Sequence, residues 1–150
     1  MAVVAPEIAV NPVTIDFGSV PIGQSRDVAF TISNSGNGPL QVSALNLNHA
    51  RFSAVSPATP FTVGASNQQL VTIRFTPNIA DPQSAVLTVA SNDADEPAVS
   101  VALQGAGSSG TPRIEVTPAN LIFGVVPVGQ DSNLVFTVRN TGSTSLIVNS

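Results

Sequence analysis

The chain has 150 residues, 43% of them hydrophobic and only 9% charged, and five basic against nine acidic side chains leave a formal net charge of −4. That balance offers no electrostatic footprint for nucleic acid. Cys is absent and His49 is the single histidine, which removes thiol nucleophiles, disulfides, Cys or paired-His zinc sites and most acid–base chemistry near neutral pH.

The opening MAVVAPEIAV is apolar but has no basic n-region and is interrupted by Pro6-Glu7. It reads as neither a signal peptide nor a membrane span. Short strands are expected at residues 7–10 and 13–17. Strict alternation over 25–33 then sets Val28, Phe30 and Ile32 on one face. Asn37-Gly38 marks a turn. Residues 40–48 change parity, with Leu40 and Val42 on one face and Leu45 and Leu47 on the other, which predicts a bulge or a switch of sheet. Alternation resumes over 69–76 (Val71, Ile73, Phe75), over 84–90 (Leu87, Val89) and, after a second turn at 92–97, over 98–104 (Val99, Val101, Leu103). No segment combines helical periodicity with a capped start. About seven short strands in roughly a hundred residues predict an all-β chain folded as an antiparallel β-sandwich, held by packing alone.

The chain also repeats itself. Shifted by 106 positions, residues 6–44 fall on 112–150 without a gap, and sixteen of the 39 pairs are identical, among them Phe17/Phe123, Gly18/Gly124, Pro21/Pro127, Gly23/Gly129, Asn34/Asn140 and Gly36/Gly142. Chance at average residue frequencies would give roughly two or three. The expected organisation is a complete domain at 1–106, a Gly/Ser linker at 107–111 and a partial second repeat at 112–150.

The opening P-x-I-x-V-x-P, then Phe17-Gly18-x-Val20-Pro21-x-Gly23 and an apolar strand ending Asn34-x-Gly36, resembles the Hydin-type (ASH) immunoglobulin-like domain and its bacterial relatives, the repeats of "choice-of-anchor D" proteins. Phe52-x-x-x-x-Pro57, Val71-x-Ile73-x-Phe75-x-Pro77, Ser91-Asn92-Asp93-x-Asp95-Glu96-Pro97 and Leu103-x-Gly105-x-Gly107 extend the likeness over nearly all of 6–107. It implies an immunoglobulin-like sandwich of seven strands, architecturally related to major sperm protein and pilus chaperones. It also implies a non-catalytic role and, for the bacterial members, tandem arrays in secreted or cell-surface proteins.

Candidates for chemistry are few. Gly105-Ala106-Gly107-Ser108-Ser109-Gly110 matches G-x-G-x-x-G, but a dinucleotide site needs a helix after it; Thr111-Pro112 and a strand follow, so a linker is expected. Asp93, Asp95 and Glu96 are the densest carboxylates and the one candidate for Ca²⁺, although an acidic hairpin turn explains them without a metal. His49 reads as a loop histidine, since no G-x-S-x-G accompanies it. Asp16, matched by Ile122 in the second copy, reads as peripheral. The dispersed arginines, with Arg74 and Arg139 on outward parities, read as solvation and edge protection. No enzyme activity, cofactor, nucleic-acid partner or membrane insertion is expected.

Residues 112–150 supply the opening strands of a sandwich, including the one carrying Leu134, Phe136 and Val138, without the strands that would cover them. Leaving about six such side chains exposed forgoes on the order of 10 kcal/mol of burial. The expectation is that the chain continues, that two halves pair across a two-fold axis, or that the partial copy exchanges with residues 6–44 of a neighbour, closed or filamentous. The function expected is a structural or assembly module of a secreted or cell-surface bacterial repeat protein, self-associating or contacting other repeats. A protein- or carbohydrate-binding module and an intracellular scaffold are the alternatives; the absence of Trp and Tyr speaks against carbohydrate.

Overall fold

The computed structural model describes residues 4–149 and divides the chain into two compact units, Met1–Ser108 and Ser109–Ser150. Among the described residues the first unit holds nine strands: β1 (Ile8–Asn11), β2 (Thr14–Pro21), β3 (Arg26–Asn34), β4 (Leu40–Leu47), β5 (Phe52–Ser56), β6 (Phe61–Val63), β7 (Asn67–Phe75), β8 (Pro82–Ser91) and β9 (Ala98–Ser108). They form a four-stranded sheet, β1-β3-β7-β5, and a five-stranded sheet, β2-β9-β8-β4-β6. Alternation aims Phe30 and Ile32 of β3, Val71, Ile73 and Phe75 of β7, Leu87 and Val89 of β8, and Val101 and Leu103 of β9 into one core. Phe17, Phe52 and Phe75 pack at its end, with ring centroids 4.6–5.6 Å apart. This is an all-β, immunoglobulin-like sandwich. Among the described residues, no helix is long and apolar enough to cross a membrane.

The structure departs from the sequence reading in several places. β5 and β6 were not expected: only Phe52 of β5 is buried and β6 has three residues, so neither carries an alternation to read. One strand pair is parallel rather than antiparallel, β2 with β9, because the chain crosses from one sheet to the other between β1 and β2. β2 also runs four residues past Phe17. Gly18, at φ +63°, absorbs a bulge there, and the strand continues alongside Gly107 and Ser108. Those two residues, read as linker, thus lie at the end of β9. Asn37-Gly38 joins β3 to β4 across the two sheets, while residues 92–97 form a true hairpin between β8 and β9. The parity change in β4 is a bulge, with the register against β8 shifting between Val42 and Ala44. Arg74 sits on the inner strand β7, where its forked guanidinium meets Asp27 of β3 at 2.7 and 2.8 Å. It therefore protects no edge, and an exposed pair of this kind contributes little to stability.

One core-facing position on β8 is polar. Gln83 is 8% exposed, and neither its Oε1 nor its Nε2 has a hydrogen-bond partner among the described residues. A buried amide without partners destabilises the fold. Gln83→Met, close in volume, is expected to stabilise the first unit by about 1–2 kcal/mol, measured as a higher urea midpoint at unchanged m value.

The second unit contains β10 (Ile114–Thr117) and β11 (Thr137–Asn140), paired antiparallel.

Candidate assembly surface

Asn34 shows what the repeated Asn-x-Gly does. Its side chain is 1% exposed. Oδ1 accepts from the amides of Glu7 and Gly36 at 3.1 Å each. Nδ2 donates to the carbonyls of Gly38 (2.8 Å), Val63 (3.1 Å) and Gly64 (3.2 Å). One amide therefore ties the chain entry, the β3–β4 loop and the end of β6. Gly36 follows because a Cβ there would fall on the backbone of Ala5 and Glu7.

The second unit rebuilds the first two of these ties. Asn140 accepts from Arg113 N (3.2 Å) and Gly142 N (2.9 Å) and donates to Thr144 O (2.6 Å), all shifted by 106. The β10–β11 register Ile114↔Asn140, Glu115↔Arg139, Val116↔Val138 and Thr117↔Thr137 is that of β1–β3, Ile8↔Asn34 through Asn11↔Thr31, moved by the same number. Gly124 and Gly129 repeat the positive φ of Gly18 and Gly23. The local structure is thus encoded within 39 residues, and the burial is not. Ile8, Phe17, Phe30 and Ile32 are at most 2% exposed, whereas their counterparts Ile114, Phe123, Phe136 and Val138 are 42–54% exposed. Leu134, Phe136 and Val138, the side chains singled out from the sequence, all belong to this uncovered face. The segment matching β2 forms no strand, and among the described residues the second unit holds no counterpart of β9, the strand that β2 pairs with in the first unit.

The acidic turn gathers a different trio from the one read in the sequence. Carboxylate oxygens of Asp93, Asp95 and Glu7 lie within 4.8 Å of one another, and Glu96 stands outside that group. Glu7 escaped notice because β1 brings it there from the far end of the domain. Asp93 is 2% exposed. Its Oδ2 accepts from Ile8 N at 2.8 Å and its Oδ1 from Asp95 N at 3.4 Å, so it pins β1 to the β8–β9 hairpin. The Ile8 amide, first among several hydrogen bonds, holds the Asp93 carboxyl below its ordinary range. The charge of Asp95, then that of Asp93, pushes Glu7 up.

The two shifts act on stability with opposite signs. Between its lowered folded value and about 3.9 in the unfolded chain, Asp93 binds more protons when unfolded. It therefore stabilises above that window, and the contribution is lost as the pH falls through it. Glu7 binds more protons when folded, so its repulsion is present at neutral pH and relieved as the pH drops through its raised value. Asp93→Asn is expected to lower Tm at pH 7 by about 5 °C and to narrow the gap between Tm at pH 7 and pH 3, both measured by calorimetry.

The remaining candidates fall into structural places. Gly105 and Gly107 lie in β9 with no helix after them, and a Cβ on Gly105 would press on the Phe75 ring at 2.7 Å. Asp16 is exposed at the β2 bulge, accepting from Gly18 N (2.7 Å) and Gln104 Nε2 (3.2 Å). His49 occupies the turn before β5, its ring edge-on to Phe52 at 5.8 Å.

Two packed sheets in this order, with the first strand divided between them, define an immunoglobulin-like module. The match to the HYDIN/CFA65/VesB-like Ig-like domain spans residues 6–106, and the chain belongs to that family. Three solved structures are similar in fold. A protein of unknown function from Porphyromonas gingivalis W83 is 18% identical, with TM-score 0.62, over 71% of this chain and 49% of that one. The ASH/PapD-like domain 7 of human CEP192 is 16% identical, with TM-score 0.56, over 71% and 89%. The Vibrio cholerae VesB protease is 15% identical, with TM-score 0.55, over 66% and 31%. The match thus spans about half of the Porphyromonas protein and under a third of the protease. No curated protein matches the chain.

Proposed function

We propose that this chain is a non-catalytic structural module of a bacterial secreted or cell-surface repeat protein of the choice-of-anchor D kind, and that its second unit is an assembly element. The observation that carries this reading is the register of β10–β11, which repeats that of β1–β3 while leaving its inward face uncovered. In the first unit β7 hydrogen-bonds along the whole of β3, and the five-stranded sheet covers their apolar face. A second copy of the same unit, packed against it across a two-fold axis, would cover that face in turn. Exchange of 112–150 with 6–44 does not achieve this by itself. Residues 1–150 hold two opening segments and one set of covering strands, so a swap covers one segment by uncovering the other.

Light scattering coupled to size exclusion, over a hundredfold range of concentration, tests self-association. Species larger than a monomer, with slowed amide exchange at β10 and β11, are expected. A monomer throughout, with those amides exchanging freely, would overturn it.

A further inference from the structure

The loop that joins β3 to β4 carries a pair of residues that its fold does not require. Asn37-Gly38 stands between Asn34 and Leu40, and 106 residues on the same positions hold Ser143-Thr144. The backbone tie from loop to chain entry persists there, with Ser143 N donating to Thr111 O at 3.0 Å. Gly38 does not adopt a positive φ, so no left-handed turn demands a glycine. The pair has instead a reactivity of its own. In Asn-Gly the backbone nitrogen after Asn carries no neighbouring side chain to hinder its approach to the Asn side-chain carbonyl carbon, and such asparagines are chemically labile.

Ala5 holds both of the reacting groups. Its N–H donates to Asn37 Oδ1 at 2.9 Å, and its carbonyl accepts from Gly38 N at 3.0 Å. Ring closure needs Gly38 N to shed its hydrogen and swing onto Asn37 Cγ. With both groups bonded to one residue of another segment, neither is free to turn toward the other.

We propose that Asn37 is a latent deamidation site, kept closed by Ala5, whose conversion loosens the first unit. Gly38 N bonds to Asn37 Cγ, and the Gly38 amide hydrogen leaves with the side-chain –NH2 as ammonia. The succinimide then takes up one water and opens to aspartate or, at its other carbonyl, to isoaspartate, so water is the sole co-reactant. The isoaspartate route adds one carbon to the main chain just before Gly38. Gly38 O is the acceptor that Asn34 Nδ2 meets at 2.8 Å, so the added carbon displaces it from the amide that ties this end of the sandwich. Ala5 lies ahead of β1, where local opening costs less than unfolding the sandwich. Opening of that segment sets the rate.

The test holds the 150-residue chain at mildly alkaline pH and follows residue 37 by peptide mapping with mass spectrometry and by isoaspartyl methyltransferase labelling. Two variants release the clamp: Ala5→Pro, which lacks the donated N–H, and a chain starting at Pro6, which lacks both bonds. Asn37→Ser, with the residue of the second copy, is the blank. Conversion is expected to run about tenfold faster, or more, in the released variants than in the folded parent, and the converted parent is expected to show a lower urea midpoint that Asn37→Ser does not show after the same incubation. Released variants that convert at the parent's rate overturn Ala5 as the clamp. A variant whose β3 and β7 amides also exchange freely has unfolded as a whole, and faster conversion confined to such variants counts against a local clamp. A folded parent that converts as fast as the chain in urea overturns the latent site. An isoaspartyl chain with the parent's midpoint overturns the link to Asn34.

Discussion

Asn34→Ala is expected to destabilise the first unit by about 3–5 kcal/mol, while Asn140→Ala, the same change 106 residues on, shifts the main unfolding transition by less than about 0.5 kcal/mol. The asymmetry follows from burial. Removing the Asn34 amide takes a partner from the Glu7 and Gly36 N–H groups and from the Gly38 and Val63 carbonyls at the end of the sandwich, in a place where the side chain is 1% exposed; the Gly64 carbonyl keeps the Asn67 amide. Buried backbone groups left unpaired carry their full desolvation cost. Asn140 makes three of the equivalent bonds in exposed surroundings, where water replaces them. Urea unfolding followed by intrinsic phenylalanine fluorescence and circular dichroism gives both values. Equal effects at the two positions would mean that the second unit is already covered in solution, which is itself a measure of its assembly.

Gly107→Ala is the second large effect, at about 3 kcal/mol or more. A Cβ at this position would fall on the carbonyl oxygen of Ile79 and press on Pro77. Neither is the end of a flexible side chain, so the β7–β8 connection itself must move. Gly107 is also hydrogen-bonded to Asp81 O at 3.1 Å and lies beside Val20 in the parallel β2–β9 pair. A linker glycine would accept alanine with a slight gain from the less flexible unfolded chain. The sign of the change in urea midpoint therefore decides whether residue 107 is strand or linker.

Both predictions concern residues whose importance the sequence marks unevenly. Asn34 and Gly36 stand out because the repeat preserves them as Asn140 and Gly142. Their local bonds span a few residues or one strand pair, so 39 residues carry enough information to rebuild them. Gly107 lies outside the repeated segment and is marked only by the Leu103-x-Gly105-x-Gly107 pattern. The close approach of Ile79 is a contact between distant parts of the chain, and Gly-Ser composition reads as linker whenever its neighbour is out of view. The acidic turn divides the same way. Asp93 and Asp95 are legible from spacing, whereas Glu7 joins them only through the pairing of β1. Gln83 stands just before the strand read over 84–90, and only its pairing with Gly105 extends β8 far enough to carry it, on the parity of Leu87 and Val89, into the core.

By itself the sequence determined that the protein is a β-sandwich, that it repeats at 106 residues, and which side chains line the core of β3, β7, β8 and β9. These rest on alternation and self-similarity, which are properties of neighbouring residues. Tertiary structure decided the two short edge strands, the parallel β2–β9 pair, the extension of β9 to Ser108, and the contrast between a buried and an exposed copy of one motif. Each of those depends on what lies across a sheet or between two sheets, and burial is a property of the partner strand as much as of the residue. The same Phe and Ile positions are core in one unit and surface in the other because covering strands are present in only one of them.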